Sequence, residues 1–293
     1  MNITPSTKPN VNQIIFRSLV VGLVYSLASA VVAAILGPMS RLAPTLDNIF
    51  VWLISGTLVC LALSPFILHA NGSRTKTVLA VWAVQAFVRS MGLGIEGSLF
   101  KPTAAFNAIV GAFFGILITL SIAWLAVLLL MPADHIPQEE TQIKRGWWGW
   151  TWRVIVVGLA YFIFYFVFGA TNALLYTKSF YENNPQYGLS LPPAGMIFLA
   201  QLIRGPLFGL GSLFILRATN APRRALAVWL GILLFIVGGV GPYLEVTFRT
   251  MPMGFNLATM TEILFQNFLT GVVAANLILP KEAIRSAKLA TQP

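Results

Sequence analysis

Long apolar runs alternate with short polar breaks along the whole chain. Eight runs stand out, at residues 14–36, 48–68, 77–95, 104–131, 152–176, 194–216, 224–244 and 257–279. Each comes near the ~20 residues that a helix rising 1.5 Å per residue needs to cross a ~30 Å hydrocarbon core. The breaks hold Gly37-Pro38, Asn71-Gly72-Ser73, Lys101-Pro102 and Asn183-Asn184-Pro185. Irregular backbone of this kind cannot face lipid, because its amide groups would lack partners. The pattern predicts an all-α integral membrane protein with eight transmembrane helices. Ala28-Ser29-Ala30 resembles a small-residue cleavage site. The run around it is nevertheless long enough to span, so a retained helix is expected.

The second half of the chain echoes the first. Arg17-Ser-Leu-Val-Val-Gly22-Leu-Val-Tyr25 matches Arg153-Val-Ile-Val-Val-Gly158-Leu-Ala-Tyr161 at six of nine positions, 136 residues apart. Ile54-Ser-Gly56-Thr-Leu58 meets Ile203-Arg-Gly205-Pro-Leu207 at an offset of 149, and Leu79-Ala-Val-Trp82 meets Leu226-Ala-Val-Trp229 at 147. Glu96 and Glu245 are 149 apart, Phe106-Asn107 and Phe255-Asn256 likewise. Leu130-Met-Pro132 and Ile278-Leu-Pro280 are 148 apart. The offset grows by 13 residues in the connector near Lys178 to Pro192, where an insertion is tolerated. Four spans per copy is an even number, so the two copies enter from the same side. The expected architecture is two tandem parallel four-helix repeats (4+4). Residues 1–132 form the first, 133–151 a cytoplasmic connector, 152–280 the second, and 281–293 a basic cytoplasmic tail.

Composition agrees with this picture. Of 293 residues, 57% are hydrophobic and 10% charged, with mean hydropathy +0.79. Soluble domains carry about 25% charged residues. The net charge of +10 would suggest nucleic acid in a soluble protein, but no nucleic-acid-binding motif is present. With the N-terminus inside, 13 basic residues fall in cytoplasmic segments, 4 outside, and Arg89 and Arg204 within spans. That bias places both termini in the cytoplasm, at what is expected to be the plasma membrane. Trp147, Trp148, Trp150 and Trp152 close the connector and read as interfacial anchors. Glu139-Glu140 followed by Lys144 resembles a twin-glutamate peptidase string, but it reads as a solvated loop.

Charges inside spans are expensive and deserve individual reading. Arg89 and Arg204 fall near the midplane, Glu96 and Glu245 at the outer ends of the third and seventh spans, and Glu262 about two turns into the eighth. Two readings compete. In one, these five residues line an outward-open polar cavity with the arginines at its floor, and bind substrate. In the other, they are interhelical ion pairs that fix register. Glu245 and Arg249 are spaced to pair on one helix, and Arg89 and Glu96 share a face. Backbone breaks lie nearby, at Gly92-Leu-Gly94-Ile-Glu96-Gly97, Gly205-Pro206 and Gly238-Gly239-Val-Gly241-Pro242. They suit either discontinuous helices or close glycine packing. The seventh span has two more residues than the third between its Trp and its Glu, which predicts a local bulge there.

The residue inventory narrows the chemistry. His69 and His135 lie near predicted loops, which argues against intramembrane haem ligation or a Ser–His dyad. Asp47 and Asp134 fall on opposite sides, so no aspartyl pair forms. Cys60 stands alone, no zinc set is recognisable, and no lysine lies mid-span for a Schiff base. Gly92-x-Gly94-x-x-Gly97 fits the dinucleotide-binding string only by accident, because no strand precedes it. No metal, cofactor or catalytic residue is expected. The leading expectation is a transporter-like or permease-like protein for a small anionic or amphipathic substrate or lipid headgroup, since guanidinium pairs well with carboxylate and phosphate. The alternatives are a non-catalytic subunit or scaffold with a protein partner or a second copy, and a membrane-embedded lipid-modifying enzyme. The last lacks a nucleophile.

Overall fold

The computed structural model describes residues 9–36, 45–100, 105–133, 135–137, 145–187, 191–246 and 251–280. Arg41, Lys101, Glu139, Glu140, Lys144, Arg249 and the tail 281–293 therefore lie outside the described residues, and so does the expected Glu245–Arg249 pair. Eight helices are long and apolar enough to cross a membrane: α1 Val11–Leu36, α2 Leu46–Leu68, α3 Arg74–Leu99, α4 Ala108–Leu130, α5 Trp147–Asn183, α6 Ala194–Arg217, α7 Arg223–Glu245 and α8 Met253–Ile278. The chain is a multi-pass integral membrane protein.

The arrangement of side chains on α1 shows why. Phe16, Leu19, Leu23, Leu27, Val31 and Ile35 recur every three or four residues and are all exposed, whereas Ser18, Gly22, Tyr25 and Ser26 are buried. A helix that turns its large apolar residues outward and its small and polar ones inward is built for lipid on the outside. Glycines set the closest approaches. A Cβ on Gly22 would fall 2.7 Å from the Leu53 carbonyl oxygen of α2, and one on Gly205 would fall 2.4 Å from the Gly158 carbonyl oxygen of α5.

Helix α1 packs on α2 and α4, and α5 packs on α6 and α8. Helix α3 lies against α4, and α7 against α8. Two further contacts tie these groups together, α3 with α6 and α7 with α2. On one face, the α2–α3 and α6–α7 connections meet edge to edge. The Asn71 N–H donates to the Ala218 carbonyl at 3.0 Å, and the Asn220 N–H donates to the His69 carbonyl at 2.8 Å. At the same face, arginines close helix ends. Arg17 on α1 donates to the Leu129 carbonyl at the end of α4, and Arg153 on α5 to the Leu277 carbonyl at the end of α8. Such bonds satisfy last-turn carbonyls and set a cation against the negative pole of the helix dipole.

Several expectations need correction. Helix α5 begins at Trp147, so the tryptophans form its first turns rather than the end of a connector. Trp147 and Trp148 are exposed as anchors should be, but Trp150 is held between the guanidiniums of Arg145 and Arg217, and Trp152 lies under Arg153. Burial and the nearby Arg153 charge pull Arg145 below the usual guanidinium range. The 13-residue insertion is largely structured. α5 continues to Asn183, and Phe180 packs with Met251 and Phe255 over the start of α8. Gly205-Pro206 does not break α6, which is continuous from Ala194 to Arg217. The local widening expected only in the seventh span occurs in both α3 and α7. Turns of π type run through Gln85–Met91 and Ile236–Val240, and a third through Ala173–Thr177 of α5. Such turns insert a residue without unwinding the helix and concentrate at functional positions.

Candidate functional site

The five intramembrane charges separate into two groups. In the first, the π-type turn of α3 aims Arg89 away from its own helix toward α7. Its guanidinium donates to the carboxylate of Glu245, to the Tyr25 hydroxyl at 2.7 Å and to the Ser55 hydroxyl at 3.2 Å. The Tyr25 hydroxyl in turn donates to Glu245 at 3.1 Å. The side chains of Arg89 and Glu245 are only 5% and 10% exposed, and the guanidinium carbon lies 4.8 Å from the Tyr25 ring centre. This group is closed: cation and anion match, the phenol and the serine accept from the same guanidinium nitrogen as the carboxylate, and none of its polar atoms is left buried without a partner among the described residues.

The second group is open. Arg204 on α6 donates to Glu96 of α3 at 2.9 Å and to the Gln201 side-chain oxygen at 3.1 Å. The Tyr161 hydroxyl of α5 also donates to that Gln201 oxygen, at 3.2 Å. Arg204 is buried, but the Glu96 side chain is 34% exposed. Two donors here have no partner among the described residues, Arg204 Nε and Gln201 Nε2, although both residues are at least nine-tenths buried. Gly92 of α3 leaves room beside Arg204 Nε, since even a Cβ there would stand 3.8 Å away. A buried donor without a partner asks for an acceptor, from water or from a ligand.

Glu262 of α8 extends this group. Its Oε2 accepts from Asn172 Nδ2 of α5 at 2.6 Å. Its Oε1 sits in a notch left by Gly169, 3.0 Å from where a Cβ would be. One turn along α8, Gln266 is buried beside the Tyr161 hydroxyl. No lysine or arginine among the described residues forms an ion pair with Glu262.

The structure thus brings Arg204, Glu96 and Glu262 into one polar neighbourhood, and Arg89 with Glu245 into another. Arg89 and Glu96 share a helix but serve different neighbourhoods. Sequence reasoning missed Tyr25, Ser55, Asn172, Tyr161, Gln201 and Gln266. Two of these carried a signal. Tyr25 and Tyr161 close the nine-residue match between the two halves, and a hydroxyl kept at the same place in two greasy helices is a candidate partner for buried charge. In comparisons with known proteins, no family model, no curated protein and no solved structure matches this chain.

Proposed function

We propose that the chain is a transporter-like or permease-like membrane protein made of two parallel four-helix repeats, with its solute site at Arg204, Glu96 and Glu262. Several features support the repeat. The two connections that exchange backbone hydrogen bonds do so between positions 149 residues apart, Asn71 with Asn220 and His69 with Ala218. An exchange in which each donor's counterpart donates back is what a twofold axis produces. Arg17 and Arg153 close α4 and α8 in the same way, and Glu96 and Glu245 each cross to the opposite half. The axis runs along the membrane normal, with both termini in the cytoplasm and the whole at the cell membrane.

The observation that carries the solute site is the contrast between the two charge groups. They occupy related places, but one is saturated and the other holds unpartnered donors, a partly exposed carboxylate and a carboxylate without a cation. Arg204 Nε and Gln201 Nε2 would receive an oxygen of a small anionic or amphipathic solute. Arg89 and Glu245 then serve as the register-fixing pair of the opposite half, which is where the scaffold reading finds its support.

The test uses full-length protein reconstituted in vesicles. Acetate, succinate, inorganic phosphate and glycerol phosphate are presented one at a time, and uptake is compared between wild type, Arg204→Gln and Gln201→Leu. Uptake of one probe by wild type, lost in both variants at equal folded yield, supports the site. Equal uptake by all three overturns it.

A further inference from the structure

The saturated group contains one cation and one anion. The open group contains one cation, Arg204, and two carboxylates, Glu96 and Glu262. Glu96 is served by Arg204, whereas Glu262 receives, among the described residues, only the neutral Asn172 amide. An unmatched carboxylate within a membrane span is costly, and such residues mark ion or proton pathways.

We propose that Glu262 is a proton-binding site of this protein, taking up one proton on Oε1 so that the Arg204, Glu96 and Glu262 group becomes neutral. This rests on the transport reading for its use, but not for its existence. Binding forms one O–H bond, with a proton drawn from water on the outer side, and release breaks the same bond. The geometry allows both states. Oε2 keeps its bond from Asn172 in either form, and the Gly169 notch leaves Oε1 free of a fixed donor.

The groups around Glu262 favour a proton over a metal ion. Helix α5 contributes Asn172 with its nitrogen turned toward the carboxylate, and the phenols of Tyr161, Tyr165 and Tyr181. Helix α6 contributes Arg204 and α3 contributes Glu96, while α7 places Tyr243 beside Tyr181, its hydroxyl donating to Asn256. A hard metal ion needs several oxygen ligands, and among the described residues no set of three His, Cys, Asp or Glu gathers to hold one. Tyr161, Gln201 and Arg204 form a polar chain that ends at the partly exposed Glu96, which gives the site a wet side.

Full-length protein and its Glu262→Gln variant are compared by thermal midpoint from about pH 4 to about pH 10, in sodium and in choline buffers. Glutamine imitates the protonated acid. The variant is expected to be the more stable at alkaline pH, to converge with wild type at acid pH, and to be indifferent to sodium. A variant less stable than wild type throughout, or one that does not fold, shows a carboxylate held as an anion and overturns the proposal. A sodium-dependent rise in wild type, absent from the variant, overturns it in favour of a metal ion. Infrared spectra of wild type and Asn172→Ala supply a second measurement. Acidification should raise a carboxylic-acid carbonyl band whose position moves in Asn172→Ala, and an unmoved band counts against Glu262. The two readings fail separately. A Glu262-dependent pH response in protein that takes up none of the solutes removes transport and leaves the proton site. Solute uptake with no such response removes the proton site and leaves transport.

Discussion

Replacing Arg89 by methionine tests whether the saturated group holds the two halves together. The substitution keeps an unbranched side chain of similar reach but removes the charge. Glu245, 10% exposed, is then left with the Tyr25 hydroxyl as its only donor among the described residues, and Ser55 loses its bond from Arg89. Removing one partner of a buried ion pair costs about 3–5 kcal/mol, because the survivor stays buried and uncompensated. That is roughly a 10²–10⁴-fold change in the folded-to-unfolded ratio. Replacing both partners, Arg89→Met with Glu245→Leu, removes the stranded charge and should recover most of the loss. The assay is a double-mutant cycle on protein in mixed micelles, unfolded by titrated dodecyl sulfate and followed by helical circular dichroism. A coupling energy of several kcal/mol is expected. If the double variant is no more stable than Arg89→Met, or if the coupling is below ~0.5 kcal/mol, the account of this pair is wrong. The same cycle on Arg204 and Glu96 should give a clearly smaller coupling, of about 1 kcal/mol, because solvent screens the partly exposed carboxylate.

Other outcomes follow from the same geometry. Gly205→Leu should abolish the folded monodisperse peak on size exclusion, since its Cβ meets the Gly158 carbonyl at 2.4 Å, whereas Gly111→Ala faces open space and should leave that peak unchanged. Arg153→Ala should lower stability by about 1 kcal/mol and raise hydrogen exchange over the last turn of α8, where Arg153 now closes the Leu277 carbonyl. Cys60 is almost fully buried, so wild type should resist maleimide until denatured. Against that silent background, His135→Cys and Gln186→Cys should label from opposite sides of sealed vesicles, and labelling from one side would break the eight-span topology.

The spans were legible because a helix in lipid declares itself by length and hydropathy alone. The ends were less so. Trp147 and Trp148 are polar enough to belong to a connector and apolar enough to begin a helix, and only the backbone, with the Trp150 N–H donating to the Gly146 carbonyl, shows that the helix has begun. Continuity of α6 through Pro206 could not be read either. Proline forfeits one hydrogen bond, and whether that ends a helix depends on neighbours such as Gly158, which packs against it. The charged residues were found because they are rare in spans. Their partners were not, because Arg89 lies 156 positions from Glu245 and Arg204 lies 108 from Glu96. Spacing rules along a single helix pointed Arg89 toward Glu96. The π-type turn at Gln85–Met91, invisible in the apolar pattern, belongs to the segment that carries Arg89 to a different neighbour.

The joint between the α2–α3 and α6–α7 connections is written mainly in peptide groups, with the Asn71 side-chain amide adding one bond to the Arg217 carbonyl at 3.1 Å. Its backbone bonds name no side chain, but Ala70 and Thr219 are buried beside them, so a bulky residue at either position would pry the seam apart. Proline at Asn71 or Asn220 would delete a backbone donor from it. A seam held chiefly by backbone lets the membrane-embedded stretches away from it change their side chains without the two connections losing their alignment.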